Sequence, residues 1–449
     1  MKRALVRLAM GLTGAGLAAC ECQRPCDLCH DAGDPPDAWR SAPDAFVPLE
    51  PFPSVDELPE RTEIPALLES FEGGRVVETR ADWEEWRREE LLELFSFYVY
   101  GYTSEFPVFV AGRRLVSVPD FVPGVVAYEE HEIELILTGA PDLGQIHVSL
   151  FLPVGAASPP PVFIAPNRCG NQEVSSDPRI RATTAWFGEN CGASLEETRG
   201  VRASQWPIEA IVSAGYAFAT FHESEIDPDD ASDELDRDVR ATLTEAGRDP
   251  RLQWGRIAAW AWGVSRVVDF LVPSGLVDPE RIAVVGHSRR GKTALLAGAR
   301  DPRIAMVIAH QSGTGGAALT HVIAPGSESV FAINVAFPSW FDDVYPTFAG
   351  NETRLPIDQH MLVALSAPRL VLVTDGADDA WAEPTSAERS VELAEAAWSL
   401  YGEPGIVREP DGTHSLGGRL AWRVRPGGHA LTHEDWSTFL AFADAHWRP

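Results

Sequence analysis

The segment RIAVVGHSRRGKTALLAGARD (281–301) carries the strongest indication of the fold. Its apolar run at 282–285 has the length and residue types of a buried strand, and 292–299 is typical of a helix. Between them lies a tight turn that we place at 286–291. A strand that passes through so short a turn into a helix is a unit of an α/β sheet.

Ser288 lies inside this turn. A serine hydroxyl is a poor nucleophile unless it is held clear of the sheet beside a base, and a sharp strand-to-helix turn does this. Gly286 and Gly291 permit the crowded backbone of such a turn, although the second glycine follows the serine by three residues and not by the usual two. We predict Ser288 as a nucleophile. The alternative is a structural serine that caps the helix.

The chain around this segment alternates strand and helix patterns, as expected of a parallel sheet with crossover helices. We predict an α/β fold of the α/β-hydrolase type, a three-layer sandwich formed by a single catalytic domain (61–449) with insertions at 168–207 and 320–357. The predicted strands lie at 162–165, 216–221, 305–309 and 369–374, antiparallel runs at 106–118 and 124–151, and helices at 81–100, 208–215, 252–272 and 433–445.

An α/β hydrolase needs an acid and a histidine after its serine in the chain. The predicted strand 369–374 is followed by DGADDAW, which offers Asp375, Asp378 and Asp379. His429 lies in a Gly-rich loop just before the last predicted helix. We predict that His429 takes the serine proton while one of the aspartates holds its tautomer and stabilises the imidazolium.

Arg289 follows the nucleophile directly. Its guanidinium could stabilise an oxyanion together with the backbone N–H groups after the serine. The alternative is a salt bridge at the start of the helix.

The N-terminal residues predict export. Residues 1–19 combine three basic side chains with a short apolar run that ends in small residues, as in a signal peptide. The sequence LAAC at 17–20 is similar to a bacterial lipobox, which makes Cys20 the expected lipid anchor; an ordinary cleaved signal is the alternative. The Pro-, Asp- and Ala-rich residues 20–60 predict a disordered tether.

Charge and cysteine content limit the partners. The formal net charge is −29, which argues against nucleic acid or an anionic membrane surface. Cys22, Cys26, Cys29 and His30 have metal-like spacing but no surrounding strands or helices, so we expect no metal site. Two further cysteines, at 169 and 191, could form a disulfide in an exported protein or remain separate buried thiols.

Several motifs in one order resemble the glucuronoyl esterases, carbohydrate esterase family 15. They are GHSRRGKTALLAGARDPRIA (286–305), SGTGGAAL (312–319), INVAFPSWF (333–341), LPIDQHMLVALSAPRLVLV (355–373), DDAWAEP (378–384), RPGGHALTHEDW (425–436) and the helix WAWGVSRVVDFL (260–271). Residues before about 160 match more loosely. The family consists of α/β hydrolases that need no metal or cofactor.

The resemblance implies roles for individual residues. Ser288, His429 and Arg289 match the family's nucleophile, base and oxyanion contributor. Its sugar-binding residues are matched by Lys292, by Trp381 and, more weakly, by Glu328.

One departure affects the acid. Many members carry Glu directly before the SGxGG motif, where this chain has Gln311. Gln is neutral and cannot stabilise His⁺ as a carboxylate does. Other members supply the acid two residues before the conserved Trp, and Asp379 occupies that place. We therefore predict Asp379 as the acid, with Asp378 as the second choice.

The resemblance implies a serine-dependent hydrolase of (4-O-methyl-)D-glucuronate esters in glucuronoxylan–lignin linkages. The alternatives are an acetyl- or feruloyl-xylan esterase, or a surface lipoprotein that binds polysaccharide and has impaired catalysis because of Gln311. We expect a polysaccharide or small-molecule substrate, no cofactor, a monomer, and membrane contact only through the N-terminal lipid, with the protein lipid-anchored or secreted.

Overall fold

The computed structural model describes residues 52–103, 108–137, 143–230, 239–243 and 254–448. The predicted signal peptide, Cys20, the other N-terminal cysteines and most of the predicted tether lie outside these residues.

One nine-stranded sheet forms the centre of the domain, in the order β1-β2-β3-β5-β4-β6-β7-β8-β9. Pairing is antiparallel from β1 to β5 and parallel from β5 to β9. The strands are β1 (Val108–Val122), β2 (Val126–Leu137), β3 (Gln145–Pro153), β4 (Val162–Asn167), β5 (Ala217–His222), β6 (Ile282–His287), β7 (Met306–His310), β8 (Leu370–Gly376) and β9 (Leu420–Arg425).

Helices cover both faces of this sheet, which gives the three layers expected of an α/β hydrolase. Alternate residues of β6 enter different cores: Ile282 and Val284 pack with α5, α6, α8 and α9, whereas Ala283 and Val285 pack with α3 and α10. The helices are α1 (Arg80–Asp82), α2 (Arg88–Phe95), α3 (Ile208–Ser213), α4 (Val239–Leu243), α5 (Arg256–Ser274), α6 (Arg289–Arg300), α7 (Val330–Ala336), α8 (Gln359–Ala364), α9 (Pro384–Ser399) and α10 (His433–Trp447).

The sequence patterns missed several elements, among them α8, α9 and β9. Only the first two residues of β9 are buried, so it lacks the continuous apolar run of an inner strand. The last helix was predicted at its observed start. Thr432 and Asp435 form a capping box there, which satisfies backbone donors of the first turn.

The predicted tether is wrong at its C-terminal end, because residues 52–60 pack on the domain. Phe52 makes ring contacts with Phe71 and Phe97 at centroid distances of 5.4 Å, and Leu58 is buried. Prolines exclude regular hydrogen bonding in this segment, but they do not prevent its apolar side chains from being buried.

Cys169 and Cys191 form a disulfide within the 168–207 insertion. The cross-link closes a loop over a sequence separation of 22 residues, and restricting the unfolded chain in this way stabilises a protein by about 3 kcal/mol. The sequence left open a disulfide or two separate buried thiols, and the structure contains the disulfide.

Within the described residues, the helices are too short or too polar to cross a lipid bilayer.

Candidate active site

Ser288 lies at a sharp turn between β6 and α6. Its backbone has φ 60° and ψ −126°, a sparsely populated conformation that the surrounding structure must hold in place. We expected a turn over 286–291, but β6 continues to His287 and α6 begins at Arg289, so Ser288 alone forms the corner. Gly286 is required because a Cβ there would lie 1.8 Å from the carbonyl oxygen of Arg290.

His429 and Asp379 lie on the loops after β9 and β8, at the same edge of the sheet as Ser288. His429 Nδ1 lies 2.6 Å from Asp379 Oδ2, and the carboxylate is 3% exposed. Ser288 and His429 line one cavity of about 320 Å³. The chain thus brings together the three residues that we predicted as nucleophile, base and acid.

The Ser288 hydroxyl has no hydrogen bond to the His429 ring in the part of the chain that is described. Catalytic hydrogen bonds of a free enzyme are often long and tighten only when substrate is bound. The side chain of His429 is 38% exposed, so the ring is accessible from the cavity. The partnership of these two residues therefore rests on their shared cavity.

The other two aspartates of the DGADDAW segment lie apart from His429. Asp378 is exposed and its Oδ2 accepts a hydrogen bond from the backbone N–H of Gly427 at 3.1 Å. Asp375 is buried within β8 and accepts one from Trp422 Nε1 at 2.9 Å. Geometry therefore favours Asp379 as the partner of the imidazole.

Asp375 is protonated in the folded protein at neutral pH. Burial raises its pKa to about 8, and the nearby charge of Asp379 acts in the same direction. Among the described residues, Asp375 Oδ1 has no hydrogen-bond partner. Because Asp375 is neutral, Asp379 does not have a second negative charge close to it.

Replacing Asp375 with Asn should flatten the pH dependence of stability. The carboxyl of the unfolded chain titrates at about pH 4. Between that pH and the folded pKa of about 8, the folded state therefore binds one more proton than the unfolded state. Stability from this group is complete below the unfolded pKa and is lost as pH rises through the folded pKa of about 8. Asn binds no such proton. Relative to the variant, the wild-type melting temperature should therefore fall by several degrees between about pH 5 and about pH 9. If the melting temperatures of wild type and variant changed equally with pH, the raised pKa of Asp375 would be contradicted.

Gln311, at the position where many family members have Glu, holds the His429 loop from both sides. Its Nε2 donates to the carbonyl oxygen of Gly428 at 2.9 Å, and its Oε1 accepts from the N–H of Ala430 at 2.9 Å. These two contacts determine the orientation of the amide. His287 Nε2 lies 3.1 Å from the same Oε1 and must therefore be the donor.

A carboxylate at position 311 could not make both loop contacts, because it has no N–H to give to Gly428. Gln311 also has a positive φ of 49°, and its own N–H donates to Thr374 at 2.7 Å. The sequence showed the departure but not this role, because the loop lies more than a hundred residues further along the chain. Gln311 thus has a structural role beside an acid that is supplied from elsewhere.

Arg289 forms the salt bridge that was the alternative to its oxyanion role. Its guanidinium pairs with Asp229 and stacks on Trp340, whose ring centroid lies 4.2 Å from Cζ. Asp229 also accepts from Trp340 Nε1 at 2.8 Å. Burial and the neighbouring Arg290 lower the pKa of Arg289 to about 9, so it remains charged at neutral pH. The sequence offered no sign of Asp229, which positions Arg289 beside Ser288.

The three residues that the resemblance assigned to the sugar form a continuous chain of hydrogen bonds. Lys292 is buried and donates to the carbonyl oxygens of Ser312 (2.7 Å) and Thr314 (2.6 Å) and to Glu328 Oε2 (2.8 Å). Glu328 Oε1 accepts from Trp381 Nε1 at 2.8 Å, and Trp381 is 44% exposed. The indole therefore presents an apolar face to solvent. The Lys292 ammonium donates its three hydrogen bonds to acceptors within the protein.

The 168–207 insertion forms one wall of the cavity at Ser288. Arg168, Glu173, Arg202, Gln205 and Trp206 are among the residues that line it, and the Cys169–Cys191 disulfide lies within the same insertion. The sequence indicated an insertion over the sheet but not that its side chains line the cavity.

The described residues contain no group of three or more His, Cys, Asp or Glu side chains arranged to hold a metal ion.

A serine at a strand-to-helix corner, with a histidine and its carboxylate on later loops at the same sheet edge, defines an α/β hydrolase. A family model described as glucuronyl esterase of fungi matches residues 201–402. Carbohydrate esterase MZ0003, from an unknown prokaryotic organism, is 32% identical over 436 residues, which are 91% of this chain and 95% of that protein. The chain belongs to carbohydrate esterase family 15, the glucuronoyl esterases, and is a carboxylic ester hydrolase.

The chain is also similar to other glucuronoyl esterases in sequence and in structure. The chain is 38% identical to 4-O-methyl-glucuronoyl methylesterase 1 of Phanerochaete chrysosporium over 175 residues, 37% of this chain and 36% of that protein. The structure of a promiscuous CE15 esterase from a marine bacterial metagenome superposes with a TM-score of 0.77 at 31% identity, covering 88% of this chain and 99% of that one. A glucuronoyl esterase from Solibacter usitatus gives 0.76 at 31% identity, with 87% and 99% covered.

Proposed function

We propose that this protein cleaves esters of (4-O-methyl-)D-glucuronate, the linkages that join glucuronoxylan to lignin alcohols, with Ser288 as the nucleophile. The observation that carries the proposal is the 2.6 Å contact between His429 Nδ1 and Asp379 Oδ2 beside the cavity that Ser288 lines. Its membership of the glucuronoyl esterase family supports the substrate class.

The reaction proceeds through an acyl-enzyme. His429 removes the proton from Ser288, whose oxygen attacks the ester carbonyl, and Asp379 stabilises the imidazolium. The imidazolium then gives its proton to the leaving alcohol as the carbon–oxygen bond breaks. Water, activated by the same imidazole, releases glucuronate and restores the serine.

The oxyanion of each tetrahedral intermediate lies at the start of α6. The N–H groups of Arg289 and Arg290, the first two of α6, have no partner within the helix, whereas those of Gly291 and Lys292 donate to the carbonyl oxygen of Ser288. The guanidinium of Arg289 adds a charge beside the first two. Because Asp229 and Trp340 hold that guanidinium in place, it needs little reorganisation as charge develops.

The sugar lies on the side of Ser288 where Lys292, Glu328 and Trp381 form their hydrogen-bonded chain. The exposed face of Trp381 suits the apolar face of a pyranose ring. Glu328 offers a carboxylate to its hydroxyls, and buried Lys292 holds that carboxylate in position through the 2.8 Å contact.

The rest of the organisation is also a proposal. Residues 1–19 act as a signal peptide, and lipidated Cys20 anchors an exported monomer to a bacterial membrane; if Cys20 is not lipidated, the protein is secreted. The motivation is the basic and apolar N-terminus that ends in LAAC at 17–20. Loss of radiolabelled palmitate incorporation in a Cys20→Ala variant would support the anchor.

An acyl panel tests the substrate. Purified protein should release benzyl alcohol from benzyl glucuronate at least about tenfold faster, in kcat/KM, than it cleaves acetylated or feruloylated xylan fragments, because only the glucuronate ester meets the sugar-binding residues. Turnover of the acetyl or feruloyl esters without turnover of the glucuronate ester would contradict the proposal. Carbohydrate binding without any turnover would favour a binding lipoprotein.

A further inference from the structure

The cavity at Ser288 is lined by residues other than the sugar-binding ones. Its lining includes Arg168, Arg202 and Trp206 of the insertion, but not Lys292, Glu328 or Trp381. Arg289 lies within electrostatic range of both groups of residues, since the charges of both Arg168 and Glu328 act on its pKa. When the glucuronate contacts the sugar-binding residues, this cavity is left for the alcohol half of the ester.

Arg168 and Arg202, which we call the arginine pair, differ from the other two arginines of the cavity. Arg289 pairs with Asp229, and Arg290 pairs with Glu223 at 2.5 Å. Among the described residues, neither member of the arginine pair forms an ion pair, and the buried Nε of Arg168 has no hydrogen-bond partner. Arg202 Nε donates to the disulfide sulfur of Cys169 at 3.5 Å.

One carboxylate of this wall, Glu173, attracts both members of the arginine pair but supplies only one negative charge against two positive ones. Glu173 is buried and accepts hydrogen bonds from the Cys169 N–H at 2.7 Å and from Trp206 Nε1 at 3.0 Å. Burial raises the pKa of Glu173, whereas burial and the charge of Arg290 lower that of Arg168. In a chain of net charge −29, the cavity thus has an excess of partly desolvated positive charge, which favours an anion.

We propose that the arginine pair forms a subsite for a carboxylate carried by the alcohol half of the ester. This rests on the proposed function, because the glucuronate lies on the other side of Ser288. A guanidinium has a planar fork of donors that matches a carboxylate. The cavity volume of about 320 Å³ is at the lower limit for small-ligand pockets and suits one substituted aromatic ring beside Trp206. The preferred leaving group is therefore an aromatic alcohol that bears a carboxylate.

Two matched esters test the subsite. Wild-type protein should cleave 4-carboxybenzyl glucuronate with a kcat/KM about tenfold above that of benzyl glucuronate, as expected of one charge-assisted contact. The ratio should approach one in Arg168→Gln and Arg202→Gln and should fall when about 0.5 M NaCl is added. Arg179→Gln, an exposed arginine of the same insertion that pairs with Asp177, should keep the wild-type ratio. Thermal melting of each variant checks that it folds.

A binding measurement separates this inference from the proposed function. By NMR titration, 4-(hydroxymethyl)benzoate should bind wild-type protein about tenfold more tightly than benzyl alcohol, and Arg168→Gln should remove the difference. Equal affinity for the two alcohols, or a preference that survives both substitutions, would overturn the subsite. If the benzoate binds more tightly but neither ester is hydrolysed, the subsite is supported and the proposed function fails.

Discussion

Replacing Ser288 with Ala should lower kcat for benzyl glucuronate by on the order of 10⁴-fold to 10⁶-fold. The variant has no hydroxyl to form the acyl-enzyme, while the oxyanion donors of α6 and the sugar-binding residues remain. Affinity for glucuronate should therefore change little. The side chain of Ser288 makes no capping hydrogen bond to α6, so we expect no loss of helix stability. Initial rates and a melting curve of the purified variant measure both effects.

A serine outside the cavity provides the control. Ser437 bonds to the carbonyl oxygen of His433 within α10, and Ser437→Ala should retain the wild-type rate. A fluorophosphonate reagent should form one adduct on the peptide that contains Ser288 in the wild type, and none on that peptide in Ser288→Ala. Unchanged turnover in Ser288→Ala would exclude the serine as the nucleophile.

Replacing Asp379 with Asn should lower kcat by on the order of 10³-fold to 10⁴-fold with little change in KM. An amide cannot stabilise the imidazolium as a carboxylate does, and its N–H favours the tautomer of His429 that cannot accept the serine proton. The change keeps the size of the side chain, so packing around this buried residue should persist. Steady-state kinetics on benzyl glucuronate measure the loss.

Asp378 provides the matched control because it is adjacent in the chain and its oxygen contacts the N–H of Gly427, not the imidazole. Asp378→Asn should stay within about threefold of the wild-type rate, since only an exposed contact is changed. A larger loss in Asp378→Asn than in Asp379→Asn would show that the loop rearranges when substrate binds and would reverse the assignment. A strong loss in Asp379→Asn would also show that the acid comes from the loop after β8. The site would then have an acid although position 311 is a neutral Gln.

The two interpretations of Arg289 that the sequence offered do not exclude each other. The sequence offered either an oxyanion role or a salt bridge, and the structure contains the salt bridge to Asp229 while the guanidinium remains beside Ser288. In the proposed mechanism, this pairing holds the cation where negative charge develops on the oxyanion, an arrangement that favours electrostatic catalysis.

Some features of this protein could be predicted from short stretches of its sequence. The apolar run of β6, the glycine at 286 and the following helix together indicate a corner that exposes a serine, because strand, turn and helix preferences act over a few residues. The layered α/β fold, and the meeting of Ser288 and His429 at one cavity, could therefore be predicted from the sequence. Strand β9 could not, because a half-exposed edge strand has no continuous apolar run.

Only the tertiary structure showed that Asp379, which the family resemblance had favoured, contacts His429 while Asp375 and Asp378 bond elsewhere. It also placed the Gln311 amide across the His429 loop and brought the arginine pair to the cavity at Ser288. Each of these depends on the distance between side chains of segments that are separated in the chain, or on the direction in which a loop residue points. Residue type and spacing along the chain do not determine such distances. They follow from how the sheet packs with its loops, which determines the neighbours of each charged group.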